Sequence, residues 1–187
     1  MNFSKIRDKL SDFQFKNIIF LGPLAYAIHQ IEETVFGFTF WREENLHLSQ
    51  DLPIPLFFGI LVAVYLLYII IHNLWSNKAT AWVVLTAILA MQFHNGIYHL
   101  VGTIYFAEYS PGLITGLIIY IPLSCLLFYR AYKEELINIT SGIFILMFSG
   151  ILFWSFEFLG NAIIIISFIV SVILITVYYF KSRNDLK

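Results

Sequence analysis

The sequence predicts an all-α fold, a polytopic membrane helical bundle of six transmembrane helices with N- and C-termini cytoplasmic. Three observations predict it. Of its 187 residues, 59% are hydrophobic and 12% charged, with a mean hydropathy of +0.80, whereas soluble domains average about 25% charged. The apolar residues are gathered into runs of about 20, the length that crosses about 30 Å of hydrocarbon. Lysine and arginine are confined to the chain's ends and short connections, as membrane topology demands. No polar stretch is long enough for a water-soluble domain, so the whole chain reads as a single membrane domain. A net charge of −1 without a basic patch excludes a nucleic-acid binder.

The first span covers about 17–37 and the second about 54–75, the latter ending at His72 and Asn73. The third covers about 79–104, and the fourth, about 112–132, follows a Pro111-Gly112 turn. From Leu136 to Phe180 the apolar stretch is too long for one helix. Glu157, Gly160 and Asn161 interrupt it, giving spans of about 138–158 and about 161–181. The N-terminus imitates a secretory signal, with Lys5, Arg7, Lys9 and Lys16 before an apolar run and Ala25-Tyr26-Ala27. That run continues past the small residues and Pro23 interrupts it, so a retained first span is the reading adopted. Cys125, alone of its kind, excludes an intrachain disulfide and reads as a small core residue.

With a cytoplasmic N-terminus, the inner segments hold Lys5, Arg7, Lys9, Lys16, Lys78, Arg130, Lys133, Lys181, Arg183 and Lys187. The outer ones hold Arg42. The positive-inside rule therefore sets the orientation, and the chain is expected in the plasma membrane. His29, Glu32 and Glu33 then lie in the outer half of the first span. An acidic residue at mid-bilayer costs roughly 2.5–3.5 kcal/mol, so a pair of them needs partners. Residues three and four apart share a helix face, which sets His29 beside both glutamates. His94, Asn95 and His99 fall in the outer half of the third span. At 100° per residue, His94 and His99 are about 140° apart with Asn95 between them. All three can line a broad cavity, although the histidines are not an i,i+4 chelating pair. Tyr109, Glu157 and Asn161 map to the same side. His72 falls at the inner end and is left out as interfacial.

Three motifs thus stand in order: His29-x-x-Glu32-Glu33, His94-Asn95-x-x-x-His99 and Tyr109-x-Pro111-Gly112. On these the chain resembles the HXXEE domain family of small bacterial integral membrane proteins. The resemblance implies a catalytic or metal-binding membrane protein and names no substrate.

Imidazole and carboxylate donors suit Zn²⁺ or Fe²⁺, and three protein ligands leave a position open. His29, Glu33, His94 and His99 are the candidate ligands, for a divalent metal with Zn²⁺ ahead of Fe²⁺. Glu32 is the candidate acid/base, in a role that Glu33 can exchange with it. Asn95 is a candidate substrate donor, and Tyr109 a candidate oxyanion stabiliser or headgroup contact. The expected reaction is metal-dependent hydrolysis or transfer on a lipidic or apolar substrate at the outer leaflet, with membrane lipids as partners. A proton- or cation-coupled transporter and a non-enzymatic ligand-binding protein are the alternatives. The 38–53 segment, with Trp41, Arg42, Glu43, Glu44, His47 and Asp51, reads as an amphipathic surface helix. Its other reading is a lid to which Glu44 or His47 lends a side chain.

Overall fold

A backbone removed from water must satisfy its N–H and C=O groups internally, and a helix does so within one segment. In the computed structural model, which describes residues 13–48, 54–160 and 162–184, every described regular element is helical. A short α1 (Phe15–Ile18) leads into α2 (Leu21–Val35), followed by α3 (Phe38–Leu46) and α4 (Ile54–Leu74). Next come α5 (Lys78–Phe106) and α6 (Leu113–Lys133), then α7 (Ile139–Leu159) and α8 (Ala162–Asn184). By length and composition, α5, α6 and the Ile139–Glu157 part of α7 can cross a bilayer, the mark of a membrane protein. The apolar stretches of α4 (Phe58–Leu74) and α8 (Ile164–Tyr179) are shorter.

A helix lies at each predicted span, with one departure. The first is broken by a turn at residues 19–20. Pro23 explains it: a proline ring clashes with the carbonyl four residues back, so the helix restarts just before it. Gly160 ends α7 where the sequence places a break. Asn161 lies outside the described residues, as do Lys5, Arg7, Lys9, Asp51 and Lys187. Two helices start alike. Asn77 accepts from Thr80 N at 3.0 Å, and Asn138 from Ser141 N at 2.8 Å, each in a reciprocal capping box.

The packing is inverted relative to a water-soluble protein. Large apolar side chains such as Ile118, Phe144 and Ile151 face outward, while His29, Gln92, His99 and Ser149 are fully buried. Lipid solvates the former, and the bundle interior shelters the latter. Cys125 corrects the sequence expectation. It is exposed, because one residue is a 100° turn and its neighbour Ser124 takes the inward position.

Two π-helical stretches, Leu89–His94 in α5 and Gly116–Tyr120 in α6, lie side by side at the heart of the bundle. Gly96 and Gly116 let these helices touch through their backbones. A Cβ on Gly96 would come within 3.0 Å of the Gly116 carbonyl oxygen. Small residues permit such close crossings in lipid, and π turns recur where function demands an irregular ladder.

The expected surface helix instead docks on the bundle. Trp41 of α3 is buried, with its ring against Phe106 and close to Gly102. Arg42 pairs with Glu157 of α7 at 3.0 Å. Burying Trp41 removes most of a large ring from solvent, which outweighs laying the weakly amphipathic helix flat on lipid. Glu44 and His47 are exposed and stay clear of the interior.

Candidate metal centre

The centre is assembled by α2 and α5 and closed by the turn before α6. His29 and Glu33 are one helical turn apart on the inward face of α2. Glu33 Oε1 lies 3.3 Å from His29 Nε2 and 3.2 Å from His99 Nε2. Both histidines are fully buried and Glu33 is 7% exposed. One donor atom from each of the three lies within 4.8 Å of the others. Ligands held about 2.1 Å from a tetrahedral ion are themselves ~3.4 Å apart, so the donor spacing fits.

Direction matters as much as distance. Both Nε2 atoms are buried, and among the described residues the Glu33 carboxylate is the one group they approach. The opposite ring nitrogens are held. His29 Nδ1 meets Thr115 Oγ1 at 2.7 Å, and His99 Nδ1 meets Ser110 Oγ at 3.0 Å. A hydroxyl on Nδ1 fixes the ring and aims Nε2 inward, the usual arrangement around a metal-ligating histidine. Ser110 is itself fixed, its N–H donating to Thr103 Oγ1 at 3.0 Å. Aromatic rings complete the walls. Tyr120 stacks on His29 with centroids 4.3 Å apart, and Phe38 of α3 lies 4.9 Å from the His99 ring.

Glu32 has a different task from its neighbour. One residue along α2 it points about 100° away, and its carboxylate receives the first N–H groups of α6. Oε1 accepts from Gly112 N and Ile114 N at 3.1 Å each, and Oε2 from Thr115 N at 2.7 Å. The Tyr109 hydroxyl also donates to Oε1. A helix start leaves these N–H groups unpaired and carries partial positive charge, so a carboxylate suits it. Glu32 therefore clamps the Tyr109–Thr115 segment onto α2, and that segment carries both hydroxyls that hold the histidines. Desolvation and the Glu32 carboxylate push the Tyr109 phenol above its ordinary pKa, keeping it a donor.

Gly112 sits over the imidazoles. Its φ is +107°, and a Cβ there would lie 2.7 Å from His99 Cε1 and 2.8 Å from His29 Cε1. No side chain fits between the turn and the rings.

Of the residues the sequence singles out, the structure brings together His29, Glu33 and His99, with Glu32 and Tyr109 bracing them. His94 is not among them. Its Nε2 contacts Leu146 O and Ser149 Oγ, each at 3.0 Å, on α7. The large angle between His94 and His99 on α5 sends the two rings to different neighbours. Asn95 is half-buried, its Oδ1 without a partner. His72 bonds Thr80 Oγ1 at 2.9 Å far along α4, a structural contact. Sequence reasoning missed Ser110, Thr115, Phe38 and Tyr120. Ser110 lies inside the third motif and Thr115 three residues beyond it, the one signal that pointed to them.

A divalent ion fits this set: two imidazole nitrogens converging on one carboxylate oxygen, and rings locked from behind. Two histidines and one carboxylate serve both zinc hydrolases and non-haem iron sites.

No solved structure matches the chain. It is 25% identical over 117 residues to the uncharacterized protein YrkK of Bacillus subtilis (strain 168), covering 60% of this chain and 73% of that protein. Residues 20–127 match the family model described as "Protein of unknown function with HXXEE motif". That span contains all three motifs and every residue of the centre, and the chain belongs to the HXXEE family.

Proposed function

We propose that the chain is a single six-helix, multi-pass domain of a bacterial plasma membrane and a metal-dependent enzyme, a hydrolase or transferase. Its substrate is lipidic or apolar, and both termini are cytoplasmic. The centre lies toward the extracytoplasmic side. His29, Glu33 and His99 hold a divalent metal there, Zn²⁺ ahead of Fe²⁺. The observation that carries this reading is the pair of buried Nε2 atoms converging on one Glu33 oxygen, with both rings held from behind by hydroxyls. When bound, such an ion polarises a carbonyl or phosphoryl oxygen as a Lewis acid.

The chain's own groups supply position. Thr115 and Ser110 hold the two rings, and Glu32 with Tyr109 holds the segment bearing them. The acid/base role expected of Glu32 passes to Glu33, because the Glu32 carboxylate is taken up by the Tyr109 hydroxyl and the N–H donors of a helix start. Apolar side chains clothe the helices outside and aromatic rings wall the centre, so an apolar molecule reaches it from the bilayer. Cation or proton transport needs a polar path to the far end of the bundle. Ile69, Val84, Leu85, Ile88 and Leu89 fill that region as a buried apolar cluster.

Metal analysis of the detergent-purified protein tests this reading. One divalent transition metal per chain is expected, lost in His29→Ala, Glu33→Ala and His99→Ala and retained in His94→Ala. Full retention in the first three, or none in the parent protein, contradicts it. The side is tested separately with a cysteine at exposed Glu44 in a Cys125→Ser background. A membrane-impermeant thiol reagent should label it on intact cells; labelling on lysed cells alone reverses the orientation.

A further inference from the structure

Inward of the centre, α2, α4, α5 and α6 place polar groups against one another where apolar packing is the rule. Gln92, fully buried, donates to Gly22 O at 2.7 Å, and its Oε1 has no partner. The Tyr65 hydroxyl reaches the same spot, 2.0 Å from where a Gly22 Cβ would stand. Tyr26, one turn along α2 from Gly22, packs with Tyr120, which stacks on His29. The hydroxyls of Tyr26, Tyr65 and Tyr120 and the Gln92 carbonyl are each buried without a hydrogen-bond partner among the described residues. The tyrosines are 4%, 1% and 0% exposed.

Buried hydroxyls and amides in proteins are almost always hydrogen-bonded. One orphan is tolerable; four from four helices, side by side, call for a common partner. The partner must both donate and accept, because the group comprises three phenols and one carbonyl. Water does both and typically makes about three such bonds when buried.

Three of the four helices bound the polar zone with apolar residues. Ile18 and Ile19 precede Gly22, Leu85 and Ile88 precede Gln92, and Ile69 follows Tyr65, all of them buried in the apolar core. Before α2 and along α4 and α5 the chain turns apolar about one turn beyond the polar residue, whereas on α6 the buried Ser124 hydroxyl follows Tyr120 by one turn.

We propose that the His29–Glu33–His99 centre is backed by a water-holding chamber walled by Tyr26, Tyr65, Tyr120 and Gln92. The chamber supplies water and hydrogen bonds to the inner side of the centre. Its role as a water store rests on the metal reading; its occupancy does not, so the two fail separately.

Radiolytic hydroxyl-radical labelling of the full-length protein in detergent, read by mass spectrometry, tests occupancy. Radicals form at bound water, so Tyr26, Tyr65 and Tyr120 should oxidise several-fold faster than Phe15, an equally buried ring in the apolar core. Tyr65→Phe and Tyr120→Phe should each lower the melting temperature, by about 2–4 °C for a bond worth roughly its usual strength. Oxidation no faster than Phe15 overturns the chamber. So does a melting temperature unchanged or raised in both variants, because deleting a dry, unpaired hydroxyl relieves the fold.

Discussion

At the scale of single residues, the division of labour between adjacent glutamates explains why two carboxylates are needed. Glu33 faces the histidines, whereas Glu32 clamps the segment whose hydroxyls orient them. Losing either hydroxyl should free a ring. Thr115→Val and Ser110→Ala are expected to weaken metal retention about 10–100-fold, the usual effect of removing such a support, as competition with a chelator would measure. Gly112→Ala should be harsher. Its Cβ would collide with both imidazoles and its backbone adopts a left-handed φ, so metal content should fall to background while the helical circular dichroism persists. His29, Glu33 and His99 were legible in the sequence because helix periodicity and membrane depth placed them together. His94 was misplaced because periodicity gives an angle on α5 without saying that α7 would occupy it. Ser110 and Thr115 are ordinary in loops, and nothing in residue type marks them as ring supports.

At the scale of elements, the centre depends on how closely α5 and α6 approach. Gly96 and Gly116 fix that distance, so Gly96→Val is expected to destabilise by about 1–3 kcal/mol through overpacking. It should also displace His99 from Glu33. Thermal melts with and without added Zn²⁺ should show the parent protein stabilised by the ion and the variant not. The helices themselves were readable from apolar runs and the breaks between them. The break before α2 follows from Pro23, a local rule that run length alone overrides. The docking of α3 was not readable, since a nine-residue helix with Trp41, Arg42 and two glutamates suits a lipid surface as well as a protein one. Arg42–Glu157 and the burial of Trp41 decide between them, and both are long-range.

At the scale of the whole molecule, the motif residues gather toward one end of an apolar bundle, and the other end is packed mainly with Ile, Leu and Val around the buried His72–Thr80 pair. That asymmetry suits a chamber entered from one side better than a pathway through. It was partly visible beforehand, because lysines and arginines set the topology and the motif residues then fell at a common depth. Diffraction at the absorption edge of the co-purifying metal, on crystals of the full-length protein, addresses the central claim. The expected result is one anomalous peak within about 2.0–2.2 Å of His29 Nε2, His99 Nε2 and a Glu33 oxygen. Density showing the two imidazoles hydrogen-bonded to Glu33 with no ion, in protein purified without chelator, would contradict it.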